Sequence, residues 1–166
     1  MKITPNQTLK FYKRKTLIPN TILSVTERHE TIHGGRAVNA QIPLFLRRKT
    51  NDYDIFTRTP KKDAKQTERV LDKRFGGNYF YTEPAEHKGT IKVKSYITGE
   101  TYADYTKPDR KLQRKKIGGI YYVSLGFMQG QAKRALKNKE AKFRHAKDRD
   151  MLNRIIIKQK GLWKWK

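Results

Sequence analysis

The 166-residue chain carries 39 Lys and Arg against 15 Asp and Glu, giving a formal charge of +24, and it contains no cysteine. A surplus of that size argues against small cationic substrates and for polyanions, nucleic acid first and an anionic membrane next, while the missing thiols exclude disulfides and thiolate zinc sites. With 36% hydrophobic and 33% charged residues, a modest core should sit under a heavily charged surface, in a single domain spanning 1–166.

Residues 1–16 read as a basic, loosely attached arm with Phe11 and Tyr12 as anchors. Met1 to Lys15 alternates polar and basic residues without an apolar centre, so a secretory leader is not expected. No run reaches membrane-spanning length, and the expectation is a cytoplasmic, intracellular protein. Pro19-Asn20 marks a helix start, with Ile22, Leu23 and Val25 on its apolar side. Thr31-Ile32-His33 reads as a short strand ending at Gly34-Gly35. From 36 to 46 the apolar spacing is mostly helical, and Pro43 should end it. The basic turn 47–51 leads into a strand from Asp52 to Thr57. Thr59-Pro60 opens a helix, with Ala64, Val70, Leu71 and Phe75 inward and a glycine stop at Gly76-Gly77.

Three strands follow, Tyr79 to Thr82, Thr90 to Ile97 and Thr101 to Thr106. The second alternates, with Ile91, Val93, Ser95 and Ile97 on one face and Lys92, Lys94 and Tyr96 on the other. Residues 107–116 read as a mobile basic loop, and Gly118-Gly119 opens the apolar run Ile120 to Val123. Ser124 begins a basic helical region, 124–166. From Gln131 onward it holds thirteen Lys or Arg against Glu140, Asp148 and Asp150. Ala132, Leu136, Phe143, Met151, Leu152, Ile155 and Ile156 should seat it on the core. Trp163 and Trp165, between lysines, suit either base stacking or docking of the tail.

Chemistry concentrates in two stretches. A Gly-Gly turn between strand and helix lets backbone approach a ligand closely, although the Walker pattern is missing. Asp52 and Asp54, two residues apart on a strand, project from one face, and carboxylates side by side are costly without a cation. Asp104, inside the β-rich Thr101–Thr106, is the best third carboxylate; Glu100 and Asp109 lie in turns, where solvation is the default. Three such groups suit two Mg²⁺ ions, with Mn²⁺ as the alternative metal, and in-line transfer at phosphorus. His29 and His33 are four apart, but the helix break near Thr31 argues against a shared metal. Arg36, Arg47 and Arg48 suit phosphate contacts.

The order His33-Gly34-Gly35-Arg36-Ala37-Val38-Asn39 followed by Asn51-Asp52-Tyr53-Asp54-Ile55 resembles the signature of the nucleotidyltransferase superfamily that includes DNA polymerase β and poly(A) polymerases. Its Gly-Arg-Ala-x-Asn wording is most similar to poly(A)-polymerase cores of large DNA viruses, and 144–152 resembles the charged helix that closes many members. The resemblance implies an α+β fold, a mixed sheet flanked by helices with basic C-terminal helices. It also implies Gly34, Gly35 and Arg36 at the triphosphate and Asp52, Asp54 and Asp104 as catalytic metal ligands. The gap from the glycines to Asp52 is longer than the compact family pattern. The implied function is transfer of a nucleoside monophosphate from an NTP to an acceptor hydroxyl, a nucleic-acid 3′ end, with RNA favoured over DNA. The alternatives are a non-catalytic nucleic-acid-binding protein on the same fold and a nucleotidyltransferase acting on a protein, as in toxin–antitoxin pairs.

Overall fold

The computed structural model describes residues 1–161, so Trp163 and Trp165 lie outside the described residues. The chain is α+β and divides into two compact units, Met1–Thr31 with Asn51–Asp109, and Ile32–Thr50 with Arg110–Lys166.

In the first unit a mixed sheet runs in the order β3 (Phe80–Pro84), β4 (Thr90–Ser95), β5 (Thr101–Thr106), β2 (Tyr53–Phe56). The β2–β5 pair is parallel, and the other two are antiparallel. Helix α4 (Pro60–Phe75) packs on one face of this sheet. Its start and stop follow the sequence rules: Pro60 occupies the first turn, where its missing N–H has no helical partner to lose, and Gly76 takes the left-handed conformation at φ 73°. Ala64, Leu71 and Phe75 are fully buried as expected, and the Tyr105 hydroxyl on β5 meets Thr67 on α4.

The expected arm at 1–16 is instead α1 (Pro5–Arg14). Thr4 and Gln7 form a capping box, each side chain bonding the other's backbone N–H, and Pro5 sits at the first position. Only Phe11 of α1 is buried, and it lies against Phe75, Tyr79 and Phe80 with ring centroids 5.5 to 6.4 Å away. Burying one such ring contributes about 2–3 kcal/mol, enough to hold a polar helix onto the core. Helix α2 (Leu17–Val25) starts earlier than Pro19, which is tolerated inside its first turn.

The second unit has three strands in the order β1 (Thr31–His33), β7 (Ile120–Val123), β6 (Arg114–Ile117). β1 and β7 are parallel, β6 and β7 antiparallel. The helix expected over 36–46 is shorter: α3 (Gly34–Asn39) ends well before Pro43, and Leu44–Leu46 forms a 3₁₀ turn. The basic segment 107–116 is not all loop, because its last residues enter β6. Helix α5 (Leu125–Lys137) opens on Ser124, whose hydroxyl accepts from the Phe127 N–H at 3.1 Å. It packs along α6 (His145–Lys160), with Ala132, Met151 and Ile155 buried. Phe143, expected inward, is 89% exposed because Lys139–Arg144 winds as a 3₁₀ segment rather than continuing either helix.

Candidate functional site

Asp52 stands just ahead of β2, Asp54 lies within it, and Asp104 lies within β5. The parallel register sets Asp54 directly beside Asp104. Side chains alternate along a strand, so Tyr53, Ile55, Ala103 and Tyr105 turn to the buried side under α4 while the aspartates take the other face. Each aspartate offers one carboxylate oxygen, and the three oxygens lie within 4.8 Å of one another, all on half-buried side chains. Among the described residues this is the one group of three such side chains placed to hold a metal.

The electrostatics of Asp104 follow from its surroundings. Burial pushes its carboxyl above the ordinary range; Lys92 opposes that shift and Asp52 adds to it. Lys92 sits in register across from Asp104 on β4, hence on the same face. The Oδ1 atom of Asp104 is buried with no hydrogen-bond partner. An orphaned buried oxygen is costly, and like charges crowd it. A hard divalent cation taking oxygen ligands corrects both, so the residues present fit such an ion. Lys92 is the member of this neighbourhood that sequence reading passed over. Its place on the alternating face of the Thr90 strand was the signal available.

The glycine turn lies in the second unit. Gly34 adopts φ +66°, a conformation that L side chains avoid. A Cβ on Gly35 would come 2.6 Å from the Thr50 methyl. Arg36 donates to the Thr50 carbonyl at 3.2 Å. Together these hold the start of α3 tightly against residue 50. Arg48 reaches Asp150 at 3.6 Å, and its N–H is accepted by Asn39 Oδ1.

Other singled-out residues have structural partners. His29 and His33 share no helix: His29 lies between α2 and β1, 3.1 Å from Asp63 and 3.3 Å from Glu27. His33 ends β1, and burial pushes its imidazole down to about 3. Glu30, beside His29, is pushed up to about 7 by burial, with Asp63 adding to the shift. Glu100 is not simply solvated: it pairs with Lys15 at 3.0 Å and accepts from the Tyr102 hydroxyl at 2.8 Å. In the charged helix near the C-terminus, Asp148 is buried under a two-pronged contact from Arg144, and Asp150 binds Arg154 at 2.9 Å. Those contacts brace α6 and tie it to Arg48. His145 Nε2 lies 2.9 Å from the Ala135 carbonyl, where it ties α6 to α5.

No protein-family model matches the chain, and no curated protein matches it significantly. Among solved structures it is similar to the crystal structure of the Megavirus polyadenylate synthase, with a TM-score of 0.76 at 19% identity over 90% of this chain. The chain shares the fold of that polyadenylate synthase. The chain spans 32% of that viral protein's length. A looser likeness, to JHP933 from Helicobacter pylori, has a TM-score of 0.48 at 13% identity and covers 91% of this chain and 66% of that one. Among the described residues, no helix is long and apolar enough to cross a membrane.

Proposed function

We propose that this chain is a metal-dependent nucleotidyltransferase, moving a nucleoside monophosphate from an NTP to the 3′ hydroxyl of a nucleic acid, with RNA favoured. The observation that carries it is the convergence of Asp52, Asp54 and Asp104 on one sheet face, with an unpartnered buried oxygen among them. These residues would hold the metal, Mg²⁺ or Mn²⁺. When bound, the metal lowers the pKa of the attacking hydroxyl and neutralises charge on the phosphates. In the reaction, the acceptor oxygen bonds to the α-phosphorus as the bond to the pyrophosphate oxygen breaks. Asp104, whose burial raises its proton affinity, takes the hydroxyl proton. Lys92, on the same face, offers a cation to phosphate oxygens. Gly34, Gly35 and Arg36 are assigned to the triphosphate by the sequence resemblance. The charge of +24 supports a polyanionic acceptor over a small cationic one.

The test incubates the protein with Mg²⁺, labelled NTPs and RNA or DNA primers, alongside Asp52→Ala and Asp54→Ala. Primer extension by wild type alone is expected, with all three proteins folded and binding primer. Absence of incorporation by wild type on every primer, with binding retained, sinks the enzyme reading in favour of a nucleic-acid-binding protein.

A further inference from the structure

On the first unit, away from the aspartates, the α4 face of the sheet carries a cavity of about 670 Å³. Its walls are cationic and come from separate segments: Arg58 past the end of β2, Lys61, Lys65 and Arg69 along α4, and Lys107 past the end of β5. Its floor is apolar, with Pro60 buried in the first turn of α4 and Ile91 half-buried on β4. The lysine and arginine stems extend that floor while their heads stay in water.

The charges are not consumed within the unit. Among the described residues, Arg58, Lys61, Arg69 and Lys107 have no carboxylate partner, and only Lys65 is paired, to Glu68 at 2.6 Å. The acids nearby on α4 are turned inward. Asp63 is buried, accepting from Thr59 at 2.9 Å and contacting His29, and Glu68 is buried as well. Like charges gathered around a concavity raise the local anion concentration, because a low-dielectric wall focuses their field.

The cavity is distinct from the aspartate site. Ile91 pairs in register with Tyr105, whose hydroxyl meets α4, so the cavity floor belongs to the α4 face. Asp104, the residue before Tyr105 on β5, points the other way. Arg58 lies past the end of β2 at Phe56, in a bend where the strand alternation no longer applies.

We infer that this groove is a second nucleic-acid site, holding the phosphate backbone of a single strand on the sheet face opposite the aspartates. Three features select that ligand. Lys61, Lys65 and Arg69 recur every four residues on one side of α4, about 6 Å apart at each step, close to the separation of successive phosphates along an extended strand. The cations line a concavity of about 670 Å³, room for a short stretch of one strand. The apolar floor suits sugars and base faces, which an inorganic anion lacks. A membrane surface is a poorer fit, since the cations line a concavity. The inference needs no catalysis, and it holds whether or not the chain transfers nucleotides.

The experiment measures fluorescence anisotropy of labelled oligoadenylate and oligothymidylate against salt, in EDTA, for the full chain. The double variant Lys61→Gln/Arg69→Gln should bind about tenfold more weakly at moderate salt. Its slope of log affinity against log salt should be shallower by about 1.4, at 0.7 for each of two phosphate contacts. The reversal Lys61→Glu/Arg69→Glu should weaken binding further. A control, Lys2→Glu/Lys13→Glu, places the same charge change as the reversal on exposed lysines of the unit outside α4 and should lose much less. Circular dichroism and thermal melts verify folding, and the glutamine pair decides if the reversal misfolds. Unchanged affinity in the glutamine pair overturns the site. So does an equal loss in the control, which would show only net charge. A loss confined to phosphatidylserine vesicles, with oligonucleotide binding intact, overturns it in favour of a membrane contact.

Discussion

Lys92 stands directly across from Asp104 in the antiparallel β4–β5 register, a cation placed beside a carboxyl that burial drives toward its protonated form. Asp52 acts on the same group in the opposite sense. Lys92→Met should therefore raise the Asp104 pKa further, and Asp52→Asn should lower it. Carbon-13 titration of the Asp104 carboxyl reads both shifts, and the two must have opposite signs. If the chain transfers nucleotides, the acid limb of the Lys92→Met rate profile should move to higher pH, because Asp104 must be ionised to accept a proton. Identical titrations in wild type and both variants would remove Lys92 and Asp52 from this account.

The unpartnered Asp104 oxygen leads to a pair of opposite effects. Without metal, Asp104→Asn removes a buried like charge next to Asp52 and Asp54 and should raise the melting temperature. With Mg²⁺ or Mn²⁺ added, wild type should gain stability by mass action, about 2.7 kcal/mol at a hundredfold excess over the dissociation constant, and the variant much less. Thermal melts with and without metal give both numbers. A metal-induced shift that survives in Asp104→Asn would place the ion elsewhere.

Glu30 titrates near 7 in the fold because burial penalises its ionised form, whereas in the unfolded chain it titrates in the ordinary carboxylate range. The folded pKa is raised, so the folded state holds the proton more tightly. The group costs nothing below the unfolded pKa, and stability falls as pH rises from about 4.5 toward about 7. Glu30→Gln keeps an oxygen to accept from the Glu27 N–H and removes the charge. It should stabilise the protein by about 1 to 3 kcal/mol at pH 8, after discounting for solvent screening, and by far less at pH 4.5. Urea denaturation at the two pH values measures the difference, and an equal effect at both would refute the assignment.

How legible this was in the sequence depended on whether the deciding contacts are local. Helix α4 is announced at both ends by Thr59-Pro60 and Gly76, and β5 runs over Thr101–Thr106 as its β-rich composition implies. Asp52 and Asp54 follow from strand parity alone. Their meeting with Asp104 depends on a parallel pairing across some fifty residues, for which only β character around Asp104 gave a hint. Helix α1 was obscured because its one buried residue, Phe11, packs on rings more than sixty positions away. β6 was obscured because Arg-Lys-Lys reads as a solvated loop. In the structure Arg114 lies over the Tyr121 ring at 4.2 Å, and lysines on an outer strand discourage further pairing. The groove beside α4 is built from strand ends and a helix face, which no local pattern brings together.

Gly35 and Thr50 make the last prediction, which concerns the turn assigned to the triphosphate. A Cβ at position 35 would fall 2.6 Å from the Thr50 methyl, too close for any relaxed contact. The φ of Gly35 is not among the positive values, so the obstacle is space rather than backbone conformation. Gly35→Ala should then cost about 1–3 kcal/mol, the range of overpacking, unless Thr50 rotates. Thr50→Ser removes the methyl and keeps the backbone carbonyl that Arg36 binds. The double variant Gly35→Ala/Thr50→Ser should recover most of the loss, giving a coupling energy of about 0.5–3 kcal/mol in a double-mutant cycle. Additive effects would show that the contact with Thr50 does not set the requirement for glycine. If stability recovers in the double variant while NTP binding stays impaired, the methyl group at position 35 blocks the ligand itself, the result expected if backbone at this turn lies against a triphosphate.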